Sequence, residues 1–220
     1  MKKLFLIILL FIVSCTNFST KNLLLESNCA PPCWNGIIPG ETSKEQVLTI
    51  LSDLSIVDQI ESTGAWNSFD DGVIFKLNGH TFIQNNRSIY VETRLISDRV
   101  VVMNFTGRLD VTLGEMINML EEPNTILIQD NPFGGQWISG ILPARGVAFG
   151  YATMEIDDPS HADIKPDIDL NWVTYFSPSH YADLQEASWF LMGNDNIQIE
   201  EILYKWVGYG NLQEKYFSQK

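Results

Sequence analysis

The chain has 220 residues, 45% hydrophobic and 19% charged. That is enough to bury a core in one domain or two small ones, and the composition excludes a disordered chain, a coiled coil and a collagen-like fibre. A formal charge of −13, from 27 acidic and 14 basic side chains, repels phosphate backbones and argues against nucleic acid as a partner.

The chain opens on Met1-Lys2-Lys3, a short positive stretch, followed by an unbroken apolar run from Leu4 to Val13. Ten residues rise only about 15 Å as a helix, half of a bilayer's hydrocarbon core, so the run fits the hydrophobic region of a signal peptide rather than a membrane span. It ends in Ile12-Val13-Ser14-Cys15, a pattern similar to a bacterial lipobox, in which a small residue precedes a cysteine that is diacylated before cleavage. The alternative is a plain signal peptide with Cys15 at its end by chance. The lipobox reading makes residues 1–14 the leader and Cys15 the lipidated terminus, with residues 15–28 as a tether. It places the protein on the extracytoplasmic face of a bacterial cell membrane, held by lipid.

An exported protein with three cysteines leaves one odd thiol. Assigning Cys15 to lipid leaves Cys29 and Cys33, in Cys29-Ala30-Pro31-Pro32-Cys33. Three intervening residues do not make the redox Cys-x-x-Cys spacing, and no histidine stands nearby to complete a metal site. A small structural disulfide is expected, with a thiol redox or metal site as the rival reading.

Next, Thr42-Ser43-Lys44-Glu45 reads as a capping box with Thr42 as cap, and Val47, Ile50, Leu51 and Leu54 follow at helical spacing. Strand-like text then covers residues 73–77, 81–84, 88–95 and 99–105. Thr112-Leu113-Gly114-Glu115 is a second capping box, with Ile117 and Leu120 repeating the spacing of Val47 and Ile50 at an offset of 70 residues. Strand-like text again follows, over residues 126–129, 137–142, 147–153 and 170–176. Helix and antiparallel meander, twice, predict an α+β fold of two similar halves, residues 29–107 and residues 108–220 with a C-terminal extension.

Ile38-Pro39-Gly40-Glu41-Thr42 with Val47 and Leu51 resembles the opening of the small outer-membrane assembly lipoprotein domain (SmpA/OmlA-like). Residues 109–123 would be a second copy, with Asp110 in the place of glycine. The tandem β-lactamase-inhibitor proteins share this general design of helices on a duplicated antiparallel sheet. Pro32-Cys33-Trp34-Asn35-Gly36-Ile37, the Thr-Leu-Gly helix and Trp206-Val207-Gly208-Tyr209-Gly210 resemble uncharacterised exported lipoproteins of Chloroflexi-type bacteria. These resemblances imply an envelope-assembly or inhibitor-like role and transfer no catalytic residue.

The hydrolase Gly-x-Ser-x-Gly, the Walker loop, the zincin motif and the dinucleotide motif are absent from the sequence. Ser179, His180 and Asp183 could be drawn as a hydrolytic triad, but closeness in sequence is poor evidence for triad geometry, and a surface histidine is the simpler reading. Asp157, Asp158, Asp163, Asp167 and Asp169 could supply oxygens to Ca²⁺, though the EF-hand spacing is missing and a solvated acidic loop is the simpler reading. From Glu115 to Glu201 there are 15 acidic and two basic side chains, which would suit a basic protein partner. Of six tryptophans, most should fill the core, with Trp66 the best candidate for exposure and for stacking on sugar rings. Phe133, in Asn131-Pro132-Phe133-Gly134-Gly135, could be presented to a partner from a loop. The expectation is therefore a non-enzymatic, lipid-anchored binding protein without a cofactor. The rivals are a glycan- or Ca²⁺-dependent module and a hydrolase using His180 or a carboxylate pair.

Overall fold

The computed structural model describes Leu24 and residues 29–65, 69–78, 88–131, 135–153, 163–186 and 199–219. The fold is α+β. Helix α1 (Lys44–Asp53) is followed by β1 (Val57–Thr63), β2 (Gly72–Asn78), β3 (Ser88–Ile96) and β4 (Arg99–Thr106). Helix α2 (Leu113–Met119) is followed by β5 (Thr125–Asp130), β6 (Gln136–Leu142), β7 (Val147–Ala152), β8 (Asp163–Ile164) and β9 (Trp172–Phe176). The chain closes with α3 (Tyr181–Glu186), α4 (Ile199–Ile202), β10 (Leu203–Lys205), β11 (Gly210–Asn211) and α5 (Leu212–Lys215). Nine strands form one antiparallel sheet in the order β1-β2-β3-β4-β9-β7-β6-β5-β10, while β8 and β11 pair separately.

Both helices start where the sequence places them, with one shift. The cap of α1 is Ser43, which exchanges hydrogen bonds with Gln46, rather than Thr42. The Thr42 side chain is committed elsewhere: it is buried, and its hydroxyl accepts from the Ile38 N–H at 2.8 Å. In α2 the expected Thr112–Glu115 box is present. Val47, Leu51 and Ile117 are buried, Leu120 is half-buried, and Gln46 and Asn118 face water. These positions follow from a 3.6-residue period with one apolar stripe.

Similar backbone contacts tie the start of each helix to the chain where it enters the last strand of its group. Lys44 N–H donates to the Asp98 carbonyl and Leu113 N–H to the Ile168 carbonyl. Val100 N–H donates to the Thr42 carbonyl and Leu170 N–H to the Val111 carbonyl. Gly40 and Asp110 both adopt positive φ, 91° and 49°, the first permitted by glycine and the second tolerated by a short polar side chain. Gly40 is also a close approach, since a Cβ there would lie 2.6 Å from Ser177 Oγ. The groups join at β4 and β9, whose pairing centres on Asn104 opposite Thr174.

The strands alternate side chains between two faces. The helix-bearing face holds the main core: Trp34, fully buried, stacks on Phe75 with centroids 5.7 Å apart and meets the edge of Phe105 at 5.5 Å. Burying such a ring contributes a gross hydrophobic stabilisation of about 4–6 kcal/mol. Leu24, within the stretch read as a tether, is fully buried in this core, and its carbonyl accepts from the Tyr175 hydroxyl at 3.3 Å. Strands β1 and β10 have no counterpart in the sequence reading, and residues 81–84 lie outside the described residues.

Candidate binding surface

The opposite face of the sheet is unevenly covered. Over the second group of strands, Leu127, Ile141, Ala148 and Phe176, with Val102 of β4, form a second core with Phe69, Leu184 of α3 and Ile202 of α4. That cover reaches the Val102 end of β4, and beyond it the same face over β2, β3 and the far end of β4 is polar and open. Tyr90 is 56% exposed, Thr106 is exposed, and Ile74, Lys76 and Asn104 are half-buried.

Register fixes how these side chains lie. Lys76, Tyr90, Thr106, Trp172 and Gly150 are successive cross-strand partners, so they form one row across the sheet. In the next row the Thr174 hydroxyl donates to Asn104 Oδ1 at 2.8 Å, and Asn104 Nδ2 donates to Thr106 Oγ1 at 3.1 Å. The Thr106 hydroxyl oxygen thus accepts from Asn104, directly across the strand pair from Tyr90. Arg94 is neutralised on the same face: it pairs with Glu92 and donates to the Gly64 carbonyl at 2.8 Å. The Trp172 ring covers Gly150, where a Cβ would come within 2.4 Å of it. One row further along, half-buried Trp137 stands opposite Gln129, whose side-chain carbonyl is buried without a hydrogen-bond partner among the described residues.

A separate cleft of about 530 Å³ runs beside α1, lined by Glu41, Thr42, Glu45, Gln46, Thr49 and Ile50 among others. Its neutral polar groups are used by the helix: Gln46 Oε1 accepts from Ser43 N–H, and the Thr49 hydroxyl donates to the Glu45 carbonyl.

Of the residues singled out in the sequence, Cys29 and Cys33 are joined by a disulfide with Cα atoms 5.6 Å apart. Cys15, Trp66, Phe133, Asp157 and Asp158 lie outside the described residues. Asp163 is 3.5 Å from Lys165, Asp169 is 3.7 Å from Arg108, and Asp167 is exposed. Among the described residues no group of three or more His, Cys, Asp or Glu side chains could hold a metal ion. His180 Nδ1 is 3.2 Å from Ser179 Oγ, which is 2.8 Å from Ser177 Oγ. That is a chain of two hydroxyls and a ring, and Asp183 is not part of it. Trp34, Trp172 and Trp206 are buried, as core aromatics.

The second face of β3 was missed, although a signal existed. Ile89, Val91, Thr93 and Leu95 are buried, so Tyr90, Glu92 and Arg94 share the other side. An aromatic at an outward position of an alternating strand marks an exposed ring.

Near the C-terminus, Trp206 packs with Tyr209 and Tyr216. Burial, with a contribution from the charge of Glu122, pushes the Tyr216 hydroxyl up to about 12. Burial raises Tyr151 and Tyr175 as well.

No helix among the described residues is long and apolar enough to cross a membrane. Compared with family models, curated proteins and solved structures, the chain matches none.

Proposed function

We propose that the chain is a lipid-anchored extracytoplasmic protein of two similar halves that acts, without catalysis, by binding another macromolecule through the open part of its sheet. The observation that carries the reading is the contrast across one sheet face, covered over β9 to β5 and bare around Tyr90. The apolar run ending at Cys15 supports the anchor, and the Cys29–Cys33 disulfide suits an oxidising compartment. The matched contacts of Lys44 and Leu113, and of Val100 and Leu170, support the duplication.

The anchor is tested by feeding labelled palmitate to cells expressing the chain. Cys15→Ala should abolish incorporation, and label retained in that variant refutes the lipid. Binding is tested by capture from detergent-solubilised envelope with wild type and Tyr90→Ala. Loss of a captured macromolecule in the variant is expected, and an identical set of captured molecules would argue against this face.

A further inference from the structure

We infer that the outer edge of β1 takes an extended, basic segment of a protein partner, added to the sheet as a further strand. The inference concerns the rim of the sheet and does not rest on the Tyr90 face. The two groups of strands end differently. The first strand after α2, β5, is covered on its outer edge by the short strand β10. The first strand after α1, β1, has a neighbour only on its β2 side among the described residues. Five consecutive residues of β1, Asp58 to Ser62, are exposed. In an antiparallel ladder every second residue turns its N–H and C=O away from the neighbour. The outer edge of β1 therefore offers backbone donors and acceptors to a strand laid alongside it.

This edge is held extended before any partner arrives. From Ile60 to Thr63 the register with β2 is unbroken, and it ends with Thr63 opposite Gly72. Gly72 also pairs with Arg94 of β3, whose guanidinium reaches past it to donate to Thr63 Oγ1 at 3.3 Å and to the Gly64 carbonyl at 2.8 Å. A strand fixed in this way loses little conformational freedom on binding. The register shift between Asp58 and Ile60, where Gln59 has φ of 52°, bends the other end and confines an added ladder to the Ile60–Thr63 half.

Side chains choose the occupant. Ile60 lies opposite Phe75 on the helix-bearing face, where the main core runs out: Phe75 is fully buried and Ile60 is 40% exposed. An apolar side chain placed beside Ile60 continues that core. On the other face Glu61 lies opposite Ile74 and Asp58 opposite Lys76. The strand has no basic residue of its own, so its edge is acidic. A segment of alternating apolar and basic residues complements both faces at once. A second copy of the chain fits poorly, since antiparallel pairing of β1 with itself sets acids against acids.

The test is calorimetric titration of the full chain, in neutral detergent at low salt, with the capped peptide Lys-Val-Lys-Val-Lys-Val-Lys. Two contrasts are its Glu-Val counterpart and Lys-Lys-Val-Val-Val-Lys-Lys, which has the same charge without the alternation. The alternating basic peptide should bind about tenfold or more tightly than the acidic one and about threefold or more tightly than the blocked one. Its binding should slow hydrogen exchange of β1 amides. Glu61→Lys should weaken it about threefold to tenfold, with thermal unfolding as the control for the fold. The inference is overturned if the alternating peptide does not bind at millimolar concentration, if either contrast binds as well, or if β1 exchange is unchanged on binding. Dimerisation of the chain that itself protects β1 amides would make a second copy the occupant and overturn the basic partner. If the peptide fails while Tyr90→Ala still loses a captured macromolecule, the edge inference falls and the reading of the open face stands.

Discussion

The two groups of strands share a sheet and a helix-bearing face, yet their other faces have opposite fates. Over β5, β6, β7 and β9 the outward residues include Leu127, Ile141, Ala148 and Phe176, and α3 and α4 close over them. Over β2, β3 and β4 the same register positions hold Lys76, Tyr90, Glu92, Asn104 and Thr106. An apolar outward position must find cover, whereas a polar one can stay in water. The difference in side chains, rather than in topology, decides which group of strands is covered on both faces and which keeps part of one face open to water.

The sharpest way to break this comparison is to strip the cover from one side. Leu184→Ala removes a fully buried side chain of α3 and should cost about 2–5 kcal/mol in urea unfolding. A cost below about 1 kcal/mol would mean that α3 is not packed as described.

Alkaline pH should act on the same side. Tyr151, Tyr175 and Tyr216 all have hydroxyls raised above 10 in the folded chain, chiefly by burial. A raised pKa favours the native state fully below pH 10, the value in the unfolded chain, and that contribution is lost as pH rises through about 12 for Tyr216. Hydrogen exchange at pH 10 to 12 should therefore increase around β7 and β9 before it does around β2 and β3. Simultaneous loss in both regions would remove the distinction.

Smaller effects are expected at the disulfide and at the two helix caps. Reducing the Cys29–Cys33 disulfide should lower stability by about 2 kcal/mol at most, because the closed loop is short. Ser43→Ala and Thr112→Ala each delete a side-chain cap and should each cost about 0.5–2 kcal/mol. Costs that differ widely between the two caps would weaken the case for equivalent helices. The smallest change belongs to Tyr90→Ala, at most about 0.5 kcal/mol, since the ring is exposed.

Elements with a local physical cause were legible in the chain. Both helices, with their apolar stripes, and seven strands of the large sheet were readable from periodicity and caps. Strand β1 was not, because Val57-Asp58-Gln59-Ile60-Glu61-Ser62-Thr63 is mostly polar and exposed at the sheet edge, with a register shift at Gln59, which has φ of 52°. Its pairing with β2 makes it a strand. The cap of α1 moved from Thr42 to Ser43 for a similar reason: the Ile38 N–H, four residues back, claims the Thr42 hydroxyl.

By itself the sequence determined what nearest neighbours along the chain can decide. That covers the apolar run before Cys15, the spacing that lets Cys29 reach Cys33, and the face that each helix buries. Only the tertiary structure decided which distant side chains share a row. Tyr90, Thr106, Trp172 and Gly150 are neighbours because β4 pairs with β9 and β9 with β7. Such pairing depends on the closure of long loops and on the cover available to each face, and neither is written in a local pattern.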